Sequence, residues 1–221
     1  MKKVLSLLAA LGAINLISAG AWALVLPPTP VPTPIRTPVP ISGAPDAPFQ
    51  VHYAANLNIG DSFLDYTNGG SAITGNSNGN ICLNVYAFNA DDTMAACCAC
   101  LITPDALVSQ SVRNDIIFNT LTPAVPNAVV IKLLASQPKN GNQCNASSPT
   151  MNTLAPGLVA WGTNLHENSS TTPVTYGLTE SEFSYPTLSA GELSNLTSDC
   201  GFIQTVGAGF GICRSCRVGG Q

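Results

Sequence analysis

Hydrophobic positions fall into several distinct patterns along the chain, and each predicts a different element. Val4 to Ala19 is an almost unbroken apolar run of about 16 residues. From Pro27 to Pro48 nine of 22 residues are proline. Beyond it Phe49, Val51 and Tyr53 alternate, and Ile81, Leu83, Val85 and Ala87 alternate against Cys82, Asn84, Tyr86 and Phe88, the period of β-strands. Ala128 to Leu134 is apolar on both faces apart from Lys132, as a central strand would be. Turn-rich stretches such as Thr67-Asn68-Gly69-Gly70 and Gly75 to Asn80 separate these runs. Near the end the period lengthens: Leu193, Leu196, Cys200 and Ile203 recur at helical spacing. Ser189-Ala190-Gly191-Glu192 stands before them with the spacing of a capping box. Short strands, Gly and Asn turns and a single late helix predict a mainly β fold. The expected architecture is an antiparallel β-sandwich with one C-terminal helix, reinforced by disulfides.

The first run reads as an export signal. Lys2 and Lys3 supply its positive start, and Ala21-Trp22-Ala23 offers small residues for cleavage after Ala23. The run falls short of the ~20 residues that span a bilayer and contains Asn15. Membrane contact is therefore expected only during export, and the mature protein is expected to be secreted or periplasmic, with display at the cell surface an option. In residues 24–48 each proline fixes φ and deletes a donor, which predicts an extended polyproline II spacer. Two readings fit that segment, a stalk and a tail without a target. Residues 49–221 are long enough for one domain with its own core.

Charge narrows the partners. Removing residues 1–23 leaves six basic residues against twelve acidic ones, a poor match to nucleic acid, whose phosphates call for clustered Lys and Arg. Arg214 and Arg217 form the one close basic pair. Charged residues make up only 9% of the chain, so its surface must rely on Asn, Ser, Thr and Gly.

Eight cysteines follow the export signal: Cys82, Cys97, Cys98, Cys100, Cys144, Cys200, Cys213 and Cys216. An oxidising compartment makes them disulfide partners. On a strand, Cys98 and Cys100 would face one way and Cys97 the other, so they need different partners. The helical spacing turns Cys200 towards the core. Spacing alone does not choose among the pairings. A thiolate metal site from Cys98, Cys100, Cys213 and Cys216 is a competing arrangement, since Cys-x-Cys and Cys-x-x-Cys supply two ligand pairs.

Other candidate chemistry is sparse. Gly75-Asn76-Ser77-Asn78-Gly79 matches a nucleophile elbow in letters, but lacks the strand and helix that would expose the serine. His52 lies in an alternating strand, and His166 beside Glu167 in what reads as a polar loop. Glu180 and Glu182 would share one strand face as a carboxylate pair. Asp91 and Asp92 read as a polar turn before they read as calcium ligands. No catalytic, cofactor or metal position is assigned.

Cys97-Cys98-Ala99-Cys100 with Thr103-Pro104, the Asn119 to Pro123 run, Val130 to Leu134, Leu188 to Leu193, and Cys200-Gly201-Phe202-Ile203 through Gly211-Ile212-Cys213 together resemble a group of uncharacterised secreted proteins of soil bacteria. The resemblance spans roughly residues 80–216 and implies an exported domain with a fixed cysteine framework, without an activity or ligand. The expected function is a non-enzymatic exported module that binds an extracellular ligand or assembles with itself, held on a proline-rich stalk. Two other classes are open: a secreted hydrolase using carboxylates or His166, and a metal- or redox-active periplasmic protein.

Overall fold

Among the described residues eight strands form two four-stranded antiparallel sheets. They are β1 (Phe49–Ala54), β2 (Phe63–Asn68), β3 (Ile81–Phe88), β4 (Met94–Ile102), β5 (Leu107–Ser111), β6 (Val129–Ser136), β7 (Leu158–Asn168) and β8 (Thr175–Glu182), followed by the helix α1 (Ala190–Val206). One sheet runs β1-β6-β3-β4 and the other β5-β2-β7-β8. This computed structural model describes residues 47–71, 78–122, 124–140 and 142–214, all within the unit Ile41–Gln221. The signal sequence, the spacer up to Asp46, Gly75 to Ser77 of the Gly75 to Asn80 turn, Cys216 and Arg217 lie outside the described residues.

Alternation places side chains into two separate cores. Leu83, Val85 and Ala87 of β3, Ile131, Leu133 and Ala135 of β6, and Leu64, Tyr66, Leu158 and Ala160 of the second sheet fill the space between the sheets. The opposite face of the first sheet contributes Tyr86, Cys97 and Leu134 to a second cluster with Leu193, Leu196, Cys200 and Ile203 of α1. The chain therefore has three layers: helix, sheet, sheet. Burying a large aliphatic side chain contributes ~1.5–3 kcal/mol, so the apolar helix stripe is enough to dock α1. β6 is apolar on both faces because it is covered on both. Lys132 is its exception because it lies at the rim of the helix contact, where it meets Glu192 at 2.7 Å.

The helix begins and ends as its sequence suggests, with one difference. The Ser189 side chain accepts from the Glu192 N–H at 3.0 Å, and Gly207 terminates the helix with φ 70°. The capping box expects the glutamate to reach back to the cap; here its carboxylate turns to Lys132 instead, where a charged partner is within reach.

Among the described residues three disulfides tie these layers: Cys82–Cys144, Cys97–Cys200 and Cys98–Cys213. Adjacent Cys97 and Cys98 point to opposite faces of β4, so one bond holds the helix and the other holds the segment beyond it. Cys100 is also disulfide-bonded. Cys98 and Cys213, two of the four ligands of the metal alternative, are bonded to each other.

Three strand edges differ in how they are treated. The edge of β4 is covered by a parallel bridge from Ile212 to Cys97, with the Cys97 N–H donating to Gly211 O at 2.8 Å. The edge of β1 is closed in two ways. Val51 and Ser184 exchange both backbone hydrogen bonds at 2.9 Å. Further along, the Asn164 side chain donates to Tyr53 O at 3.2 Å and accepts from Ala55 N at 2.8 Å. β8 ends its sheet, and among the described residues no named strand continues the ladder beyond it.

Candidate interaction surface on the uncovered sheet

The outer face of the first sheet carries the helix, whereas the outer face of the second carries no strand or helix among the described residues. Ala160 points into the core, so alternation sends Trp161, Thr163, Leu165 and Glu167 of β7 outward; Glu167 is exposed, Trp161 and Leu165 are half-buried, and Thr163 is buried, its hydroxyl accepting from Phe63 N at 2.8 Å. In register opposite them stand Glu182, Glu180, Leu178 and Tyr176 of β8. Phe63 of β2 and Leu107 of β5 add two more exposed apolar groups to the face. Leu178 is 62% exposed and Tyr176 58%. Apolar side chains this open on neighbouring strands are what an interaction surface presents.

The β7–β8 hairpin also stands clear of the sandwich. All eight residues of β8 are exposed, and the last three of β7, His166, Glu167 and Asn168, are exposed with them. His166 lies not in a polar loop, as its neighbours suggest, but within β7, which continues past the end of β2 because β8 supplies its ladder.

The hydrolase residues are not gathered. Glu180 and Glu182 do share a face of β8, as their spacing suggests. His166 is on the opposite face of the hairpin, its Nε2 2.8 Å from the Thr179 hydroxyl. Tyr185, next along the chain, is held above its ordinary pKa by desolvation and by Glu182, to whose Oε2 its hydroxyl donates at 3.4 Å.

His52 is placed quite differently from His166. It is buried between the sheets, stacked on Phe183 with ring centroids 4.8 Å apart. Its Nε2 has no hydrogen-bond partner among the described residues, and burial pulls its pKa below the ordinary value. Such a group is a core aromatic that stays neutral rather than an accessible base.

Concave sites occur beside α1. A cleft of about 410 Å³ is lined by Phe88, Asn89, Asp92, Lys132, Glu192 and Asp199. Its lysine is already engaged, paired with Glu192 and lying 4.5 Å above the centre of the Phe88 ring. Asp92 belongs to the β3–β4 turn, with φ 62°, consistent with the polar-turn reading of Asp91 and Asp92. Among the described residues no group of three His, Cys, Asp or Glu side chains is set to hold a metal ion.

Two signals would have located the open surface from sequence. From residue 140 to residue 213 the chain has no Lys or Arg. Within that stretch Tyr176, Leu178, Glu180 and Glu182 alternate with Thr, Gly and Ser, a strand pattern whose polar face is as exposed as its apolar one. No helix among the described residues is long and apolar enough to cross a membrane. No family model matches the chain, and neither a curated protein nor a solved structure matches it.

Proposed function

We propose that the protein is an exported, non-enzymatic binding or assembly module that presents the outer face of the β5-β2-β7-β8 sheet to a partner outside the cell. The observation that carries this reading is the β7–β8 hairpin: eight consecutive exposed residues of β8, with Tyr176 and Leu178 on the same face as Trp161. Monomers seldom expose such side chains on a strand without a use for them. The disulfides support an oxidising location. The spacer of residues 24–48 would hold the domain away from its anchor point. The separation of His166 from Glu180 and Glu182 favours binding over hydrolysis.

The test is a Tyr176→Ser/Leu178→Ser double variant produced in cells beside wild type. The variant should melt within a few degrees of wild type, because both side chains are exposed, and should shift from the cell exterior into the medium. Retention equal to wild type overturns the reading. So does a hydrolytic turnover that disappears in His166→Ala with the fold intact.

A further inference from the structure

We infer that the outer edge of β8 accepts an extended cationic segment of another protein, which adds to the sheet as a fifth strand. This deepens the binding reading above and rests on it.

Backbone direction establishes the first half. The Phe183 N–H donates to Ala160 O at 3.1 Å, towards β7, and the Ser184 N–H donates the other way, to Val51 O at 2.9 Å. Alternate residues of an antiparallel strand address opposite neighbours. The β8 register against β7 is continuous from Thr175 to Glu182. Residues 175, 177, 179 and 181 therefore turn their backbone groups to β7. Tyr176, Leu178, Glu180 and Glu182 turn theirs outward, where a new strand would meet them. β8 has no proline, and nothing in its register interrupts the row. The fold closes the β1 edge with Ser184 and Asn164 and the β4 edge with Ile212, using its own atoms in both cases. At β8 no such closure occurs among the described residues.

Side-chain chemistry selects the occupant. The same four residues whose backbone faces outward carry two apolar groups followed by two carboxylates on one face. With no Lys or Arg from residue 140 to 213, neither strand of the hairpin has a cation to offer Glu167, Glu180 or Glu182. A second copy pairing β8 with β8 would bring its own carboxylates to the same ribbon, which like charges disfavour. A strand running antiparallel to β8 with Lys or Arg facing Glu182 and Glu180, then apolar residues facing Leu178 and Tyr176, satisfies both. This is peptide recognition by strand addition, with the main chain supplying affinity and alternate side chains the selectivity.

The probe is a labelled nine-residue peptide in which threonine alternates with two lysines and then two valines, titrated by fluorescence anisotropy against the full oxidised chain. Saturable binding is expected, weakening as salt is raised. Glu180→Gln/Glu182→Gln should weaken it by about fivefold. Leu178→Pro should weaken it more than tenfold, since proline removes an outward N–H and leaves the ladder to β7 complete. A peptide N-methylated on the valine facing Leu178 must lose binding to wild type as well, a measurement that does not depend on any variant folding. Absence of saturable binding, or equal binding to Leu178→Pro and of the methylated peptide, overturns the inference. If Leu178→Pro remains at the cell exterior while Tyr176→Ser/Leu178→Ser is released, the strand edge is excluded and the surface reading stands. If both remain, the surface reading falls too. A wild-type dimer in sedimentation that dissociates in Leu178→Pro assigns the edge to a second copy and overturns the cationic occupant.

Discussion

His52 occupies the space that a side chain at Gly162 would need: a Cβ added there would overlap the imidazole ring. The pair joins the two sheets, with the β1 histidine lying against bare β7 backbone and stacked on Phe183. Gly162→Ala should therefore destabilise the fold by ~1–3 kcal/mol through overpacking. In a His52→Ala background the same change should cost much less. Urea unfolding of the four proteins measures the coupling, and equal costs in both backgrounds would falsify the contact.

Acid should act through the same histidine. Burial lowers the folded-state pKa of His52 below 6.5. Between that lowered value and 6.5 the unfolded chain takes up a proton that the folded chain refuses. This contribution to stability is complete above pH 6.5 and is lost as pH falls through the window towards the folded-state pKa. Unfolding free energy measured from pH 8 to pH 5 should fall less steeply in His52→Leu than in wild type. Parallel curves would show that other groups set the slope.

At the helix, the cap and the ion pair should contribute unequally. Ser189→Ala removes the bond to the Glu192 N–H and should cost ~1 kcal/mol. Glu192→Gln breaks a partly exposed pair with Lys132 and should cost under about 1 kcal/mol, with the loss shrinking in high salt. Cys200→Ser should be the most damaging of the three, because it cuts the bridge to Cys97 in a buried cluster, where a lost disulfide costs ~2–5 kcal/mol. Thermal melts of the three variants give the order directly.

Asn164 substitutes for a strand at the β1 edge. Asn164→Ala leaves Ala55 N and Tyr53 O without that partner and should cost ~1–2 kcal/mol. Hydrogen exchange at the Ala55 amide should accelerate selectively, while amides in β3 keep their protection. Unchanged exchange at Ala55 would count against the edge-closing role.

Peptide mapping of unreduced protein should recover Cys82–Cys144, Cys97–Cys200 and Cys98–Cys213. Cys100, itself disulfide-bonded, should be recovered oxidised and not as a free thiol. Titratable thiols or stoichiometric zinc in the native protein would contradict this set.

The parts of the fold that could be read in the sequence are those where burial imposes a period. The alternation of β3 and the Leu193, Leu196, Cys200, Ile203 stripe each mark a face pressed against another layer, whereas the Phe49, Val51, Tyr53 alternation of β1 marks one only in part, since Tyr53 is exposed and the opposite residues Gln50, His52 and Ala54 are buried. The division of Cys97 from Cys98 and Cys100 follows from the same alternation. His166 reads as loop because burial is absent there: an exposed hairpin tip imposes no apolar period, and its polar residues resemble a loop. His52 could be placed on a strand but not in the core, since nothing local reveals that Gly162 across the sandwich leaves room for it. The destination of Glu192 depended on Lys132, 60 residues away, which a local capping pattern does not include.

The paired cysteines of β4 also bear on how the chain is made. Cys82 waits 62 residues for its partner, Cys97 waits 103 and Cys98 waits 115. A chain synthesised from its N-terminus brings Cys97, Cys98 and Cys100 within reach of Cys82 before Cys144 exists. Oxidation in order of appearance would therefore lock in wrong pairs. The native set is reached only if the early thiols stay reduced until Cys200 and Cys213 emerge, or if a thiolate attacks the premature bonds and exchanges them. Yield of the native protein is therefore expected to be higher with a disulfide-exchanging catalyst or a controlled redox buffer than with an oxidant alone.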